Sequence, residues 1–321
     1  MIQQEILQKW QKEQLDVASK CKILQDDISL RIPFPSNTST EFCQINCCTK
    51  DKLFGGVDVS FGPDNKAIAV YVILKNLKVV YEDELLYELK VPYQSSYLPF
   101  REIDPIVNLI EKQKVDKPEL TPAYILVDGN GILHERRAGL ATFVGVKTGI
   151  ATIGVGKSMY CTEGLSCESV DQSIHSVVEK LQLELTHLNQ DENTTQEKAD
   201  SRLFLSTFRI SSDNLKDVET NSTDLKTLLD QIGKYSKYDG IASYLETTEK
   251  EVIGAVLIGH GGKITKRYPR QRTKIPIYVS IGHMISLQDA IGICASLSIA
   301  KIPEPVRQAD LRGREMWRNR S

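Results

Sequence analysis

The sequence predicts an α/β protein built on a mixed sheet, an antiparallel meander followed by parallel strands, flanked by helices. Three observations predict it. First, three apolar runs at 54–61, 67–74 and 78–89 are separated only by Gly62-Pro63-Asp64-Asn65 and Lys75-Asn76. Turns that short join antiparallel neighbours, because parallel strands need a long crossover. Second, the apolar runs at 124–127 and 150–155 each follow a helical pattern, the alternation that builds parallel strands. Third, residues 161–250 change character: 17 acids face 9 bases, a net of −8, while the rest of the chain carries +6. This stretch reads as an acidic, partly helical insertion within a single domain spanning 1–321.

The elements follow in order. Residues 2–25 have the apolar spacing of an amphipathic helix, with Ile6, Leu7, Trp10, Leu15 and Ala18 between charged residues. Residues 26–50 are irregular, and Pro33, Pro35 and Asn37 mark a loop. In the first strand Val57, Val59 and Phe61 alternate with Gly56, Asp58 and Ser60, so Asp58 faces away from the valines. A carboxylate there is either paired, metal-bound or on a solvated face. Val91-Pro92-Tyr93-Gln94-Ser95-Ser96 is a loop entering a helix near Leu98, and Glu102 lies in that helix's first turns. The strand Tyr124-Ile125-Leu126-Val127 delivers Asp128, followed by Gly129-Asn130-Gly131; the glycines permit close backbone approach. A helix over 138–146 leads to a strand over 150–155, ending at Gly156-Lys157-Ser158. That ending lacks the first glycine of a P-loop, since position 151 is Ala151. Lys157 remains a partner for phosphate or carboxylate.

Within 161–250, helical patches at 174–188 and 215–235 flank a polar linker at 189–200. Folded character returns with strands at 252–258 and 277–281. Between them six cations from Lys263 to Lys274 have no acid among them, a basic loop suited either to phosphates or to plain solvation. Ser286 caps a helix running to about Ala300. After Pro303 and Pro305 a last helix carries Asp310 toward Trp317.

Composition narrows the class. The net charge is −2, with 41% apolar and 26% charged residues, which is ordinary for a globular protein. No apolar run is long enough for a transmembrane helix, and the N-terminus lacks a secretory pattern. The seven cysteines have no zinc-site spacing. Reduced thiols, a cytoplasmic or nuclear setting and chance matches at the glycosylation-like sites Asn37, Asn193 and Asn221 are expected. Asp58, Glu102, Asp128 and Asp310 are spread along the chain, but adjacent strands and two helices can bring them together. Such a cluster can hold two hard cations, which prefer oxygen ligands and promote phosphodiester hydrolysis.

Several motifs then carry a resemblance: Gly55-Gly56-Val57-Asp58-Val59-Ser60-Phe61, Pro92-Tyr93 with Phe100-Arg101-Glu102, Val127-Asp128-Gly129-Asn130-Gly131 with Leu133-His134 and Gly139-Leu140-Ala141, Ile153-Gly154-Val155-Gly156-Lys157, Tyr278-Val279-Ser280-Ile281-Gly282-His283, and Ile302-Pro303-Glu304-Pro305-Val306-Arg307-Gln308-Ala309-Asp310. In these motifs and their order, over about residues 5–160 and 250–320, the chain resembles the endonuclease V family, which cleaves nucleic acid near deaminated adenine (inosine).

The resemblance implies an RNase H-like fold with Asp58, Glu102, Asp128 and Asp310 at a Mg²⁺ site that Mn²⁺ can also fill. It implies Lys157 near the scissile phosphate, and Pro92-Tyr93 as a wedge beside a flipped base. Gly129, Gly131 and Gly139 match a hypoxanthine pocket built from backbone. There a donor to O6 disfavours adenine and a wall at C2 excludes guanine. His134 either orients the pocket loop, meets a phosphate or makes a structural hydrogen bond; His260 and His283 read as structural. Two departures stand out: Ser158 replaces a second cation found in many relatives, and the insertion is longer than in compact bacterial members. The implied reaction cleaves the second phosphodiester 3′ to inosine, leaving 3′-hydroxyl and 5′-phosphate ends. Gly129-Asn130-Gly131 and the Pro303–Asp310 motif resemble animal members and imply single-stranded RNA as substrate, with unpaired deoxyinosine DNA as the alternative. A silent inosine-binding protein would lack a metal-site carboxylate, and a nuclease without base preference would lack wedge and pocket. A monomer with no membrane association is expected.

Overall fold

The computed structural model describes residues 4–24, 51–162, 164–166, 208–210, 240–249, 251–259 and 276–320. Its centre is one nine-stranded sheet: β1 (Leu53–Phe61), β2 (Lys66–Lys75), β3 (Lys78–Glu88), β4 (Tyr124–Asp128), β5 (Ala151–Gly156), β6 (Phe208–Ile210), β7 (Gly240–Glu246), β8 (Val252–Gly259) and β9 (Ile277–His283). Their order across the sheet is β3-β2-β1-β4-β5-β9-β8-β7-β6. The first three strands form the expected antiparallel meander. β4 then joins β1 in parallel, and β5 joins β4 in parallel. The crossovers run through α2 (Pro99–Asp116) and α3 (Leu140–Thr148).

Three helices cover one face. α1 (Gln4–Lys20), α2 and α3 enclose a core with Val57, Tyr71, Ile73, Ile106, Ile110, Val127 and Phe143. On the other face α4 (Leu287–Leu297) covers Phe54, Leu126, Ile153 and Val279. Beside it α5 (Glu304–Arg318) covers Ile68, Val70 and Val72. β2 is buried from Ala67 to Leu74 because helices lie on both sides of it.

Two expected boundaries move. The first helix ends at Lys20, not near residue 25: Ile23 leaves it to bridge Ile285, and Leu24 N–H donates to the Ile285 carbonyl. Pairing with a distant segment outweighs the local helical period. Strand structure also returns earlier than residue 252, since β7 pairs with β8 from Gly240 onward. The basic run 263–274, the helical patches at 174–188 and 215–235, the polar linker, the loop 26–50 and His260 lie outside the described residues.

Candidate active site

Four elements bring carboxylates to one end of the sheet. β1 and β4 are parallel, with Val57 opposite Val127, so Asp58, within β1, and Asp128, at the carboxyl end of β4, emerge side by side from adjacent strands. Ligands of open α/β sheets gather at such ends. Asp310 comes from α5, which lies very close to β1. A Cβ on Gly56 would sit 2.2 Å from the Pro305 carbonyl oxygen, and one on Gly313 would sit 2.4 Å from Ser60 Oγ. Any side chain at either position would push the helix, and Asp310 with it, off the strand. The entry to α5 is fixed by buried Glu304, whose carboxylate receives both Arg307 nitrogens, at 2.6 and 2.7 Å, and Gln308 Nε2. Glu102 enters from the first turn of α2 and is 3% exposed.

The electrostatics are adverse to folding. Asp58 is 4% exposed. Its burial, its hydrogen bond with Asp128 and the charges of Asp128 and Asp310 push its pKa up to about 8. Burial, then Asp128 and Asp58, hold Glu102 well above the usual carboxylate range. The Lys157 ammonium sits among the aspartates: 2.5 Å from Asp128 Oδ2, 3.5 Å from Asp58 Oδ1 and 3.7 Å from Asp310 Oδ1. Burial works against that charge, but the three carboxylates hold its pKa above the ordinary lysine value.

This donor set fits a hard divalent cation. It is all oxygen, largely buried and mutually repelling, and a cationic side chain already occupies its centre. Among the described residues no three ligating side chains are yet close enough to hold an ion. With Lys157 withdrawn toward a phosphate, Asp58, Asp128, Asp310 and Glu102 are the groups that would hold one.

The carboxylates open into a cleft of about 830 Å³. One wall is the turn from β1, Phe61-Gly62-Pro63; the other is α5, with Arg314, Trp317 and Arg318, and Arg320 just beyond its end. Sequence reasoning missed this wall. Its signal was present, since Arg314 and Arg318 stand four and eight residues after Asp310, on one helix face. Arg314 also pairs with Asp310 at 2.9 Å.

Pro92 and Tyr93 lie in the loop between β3 and α2. Tyr93 is 70% exposed, an unusual position for a large ring. The Arg101 guanidinium bridges it to the cleft wall, 5.8 Å from the Tyr93 ring centroid and 5.1 Å from that of Phe61.

The glycines of the loop after β4 have packing reasons of their own. Gly129 has φ of +147°, a conformation that L-residues avoid. A Cβ on Gly131 would lie 1.9 Å from the Ile281 carbonyl oxygen, and one on Gly139 would lie 2.2 Å from that of Asn130. Gly131 N–H donates to Ser280 Oγ at 2.8 Å, so a buried serine on β9, quoted in the Tyr278–His283 motif but given no task there, pins this loop.

The geometry of His134 bears on its three open readings. It is 4% exposed and both ring nitrogens are used within the protein. Arg136 N–H donates to Nδ1 at 3.1 Å. The proton is therefore on Nε2, which donates to the Ser96 carbonyl at 3.0 Å. Burial lowers its pKa to about 4, against the Ser96 carbonyl, which favours the charged ring. A neutral ring with no free nitrogen has nothing to offer a phosphate, and His134 instead ties the loop after β4 to the Tyr93 loop. His283, read as structural, accepts from Lys22 N–H at 3.1 Å.

Comparison with known proteins gives a consistent result. The family model described as Endonuclease V matches residues 38–207 and 232–311. Endonuclease V of mouse is 32% identical over 268 residues, 82% of this chain and 59% of the mouse protein. The human protein is 31% identical over 265 residues, covering 81% and 70%. The chain thus spans less than two thirds of the mouse relative. Among solved structures, the catalytic domain of human endonuclease V superposes with a TM-score of 0.66 at 27% identity, covering 99% of this chain and 98% of that one. A Ciona intestinalis endonuclease V variant, in complex with a 23mer DNA containing an inosine followed by a ribo-adenosine, gives 0.65 at 25% identity with both chains covered in full. With the mixed sheet described above, these likenesses bear out the RNase H-like fold.

Proposed function

The chain belongs to the endonuclease V family, and from that premise we propose that it is a metal-dependent endonuclease cleaving inosine-containing RNA at the second phosphodiester 3′ to inosine. The observation that carries this reading is the meeting of Asp58, Asp128 and Asp310 around the Lys157 ammonium, with buried Glu102 alongside. All four carboxylates that a silent binder would have lost in part are present. Mg²⁺, for which Mn²⁺ can substitute, would be held by these carboxylates. When bound it supplies an activated water and charge stabilisation at the leaving oxygen.

The protein's own residues have distinct tasks. The carboxylates orient and remain ionised once their repulsion is neutralised. Lys157 donates to a non-bridging phosphate oxygen at the cleavage point. Arg314 and Arg318 extend positive charge along the cleft wall for neighbouring phosphates. Tyr93 fills the gap in the stack when the inosine leaves it. The loop from Gly129 to Gly139 presents main-chain donors and acceptors to the hypoxanthine edge. Its close packing against β9 makes it a rigid reader.

RNA is favoured over DNA because the Ciona relative was captured with a ribonucleotide directly after the inosine. That sugar flanks the scissile phosphate, where a 2′-hydroxyl can be read. The test uses oligonucleotides carrying one inosine or one adenosine, each as RNA and as DNA, with Mg²⁺. The expected result is cutting of inosine RNA, at the second bond, at least about tenfold faster than any other substrate. Equal cutting of the adenosine control defeats the base-specific reading. Faster cutting of the DNA substrate favours the repair alternative.

A further inference from the structure

Helix α1 packs behind the loop that carries Tyr93. Its Gln14 is fully buried, an uncommon place for glutamine. Gln14 Nε2 donates to the Ser96 carbonyl at 2.8 Å and to the Ala138 carbonyl at 3.3 Å, while Oε1 accepts from Arg136 Nε at 2.5 Å. One N–H donor and two carbonyls fix which end of the amide is which.

The Ser96 carbonyl is a meeting point. Besides Gln14 it accepts from His134 Nε2 at 3.0 Å and from Arg136 Nη2 at 3.3 Å. Ser96 has φ of +67°, which a serine adopts only when its surroundings hold it there. Its hydroxyl lies 2.7 Å from the Tyr160 hydroxyl, and Tyr160 stacks on His134 with ring centroids 5.1 Å apart. One turn earlier on α1, Trp10 stacks on Phe100 at 4.8 Å, and the Arg136 guanidinium covers the Tyr97 ring at 4.5 Å. The segment from Ser96 to Phe100 is thereby gripped from several sides, and Tyr93 projects from its free end.

We propose that Gln14 is a positioning residue for Tyr93: through the Ser96 carbonyl it holds the wedge loop in its inserting conformation before substrate arrives. The inference rests on the wedge role given to Tyr93 above. A preset wedge avoids ordering a loop at the moment of binding, which preorganisation turns into rate on stacked substrates. The same helix on a loop with no task would show the same hydrogen bonds but no coupling to Tyr93.

The test uses Gln14→Glu, which keeps the size and the acceptor for Arg136 but turns an oxygen toward two carbonyls. Tyr160→Phe is the milder companion, removing one hydroxyl from Ser96 and leaving α1 untouched. Hydrogen exchange is followed at residues 92–97, with 124–128 as the internal reference, and cleavage of a base-paired inosine substrate is measured with and without Tyr93→Ala. Gln14→Glu is expected to speed exchange at 92–97 about tenfold without changing 124–128. It is expected to slow cleavage about tenfold in the parent and less than about twofold beside Tyr93→Ala. Tyr160→Phe shifts both readouts the same way by about threefold. Unchanged exchange at 92–97, or the same loss in both backgrounds, overturns the proposal. Parent protein cutting inosine and adenosine alike would count against the inosine reading instead, and exchange would still decide whether Gln14 holds the loop.

Discussion

Where β4 ends beside β1, Asp58 and Asp128 stand beside Glu102 and Asp310, with burial and like charge raising the pKa of Asp58 and Glu102. Across α2, at the Ser96 carbonyl, three donors converge on one acceptor, and Gln14 and His134 are buried with their polar atoms matched. The first region is destabilised by the groups proposed to make it reactive. The second is stabilised by the groups that make it stiff. Substitutions in the two regions should therefore act differently. Changes among the carboxylates should remove activity without loss of stability, whereas changes in the Ser96 network should loosen the fold and reach activity through the loops it ties, above all that of Tyr93.

The largest expected effect is on the reactive side. Asp58→Ala should reduce cleavage by at least about a thousandfold while leaving inosine-oligonucleotide binding measurable by anisotropy. Retained cleavage would remove Asp58 from the site and blur the contrast between the two regions. On the stiff side, Tyr93→Ala should slow cutting of base-paired substrate by about ten- to a hundredfold and of single strands much less, because only stacked bases resist extrusion. Equal losses on both substrates would make Tyr93 a general contact.

His134 sharpens the comparison by pH. Its folded pKa, lowered to about 4, lies below the unfolded value. The unfolded chain therefore takes up a proton first as pH falls. Stability conferred by the neutral ring is present above about pH 6.5 and drains away down to about pH 4, by up to about 3 kcal/mol. His134→Gln should flatten that part of the stability profile in urea melts; an unchanged slope would show that His134 is not the group responsible. The smallest effect belongs to the cleft wall. Arg318→Gln should weaken binding of inosine and adenosine strands alike, by a few-fold, and reduce the salt slope by about one. Loss confined to inosine strands would mean that Arg318 reads the base.

The reactive side was far more legible in the sequence than the stiff side. Asp58 is a carboxylate on the face opposite the valines of a strand with no other charge from Leu53 to Phe61, and Asp128 ends an apolar run before two glycines, so each stands out locally. Glu102 looked like any helical glutamate and joined the candidate cluster only as a possibility, because its burial depends on where α2 lands. Gln14 left no trace, since a glutamine among the charged residues of an amphipathic helix reads as solvent-facing, and its partners lie 82 and 124 residues away. His134 was noticed but its task was open, because a ring's two nitrogens are assigned by tertiary neighbours. Gly131 and Gly139 were legible as close approaches. The approaching groups in the structure are the chain's own carbonyls, which no spacing rule reveals.

The cation site is put to the test by thermal unfolding of Asp58→Asn beside the parent, in chelator and again with Mg²⁺. If the carboxylates form a strained cation site, Asp58→Asn melts a few degrees higher than the parent in chelator, about 2–4 °C for a chain of this size, and Mg²⁺ raises the parent more than the variant. A variant that melts lower in chelator, or gains as much from Mg²⁺ as the parent, would contradict the account.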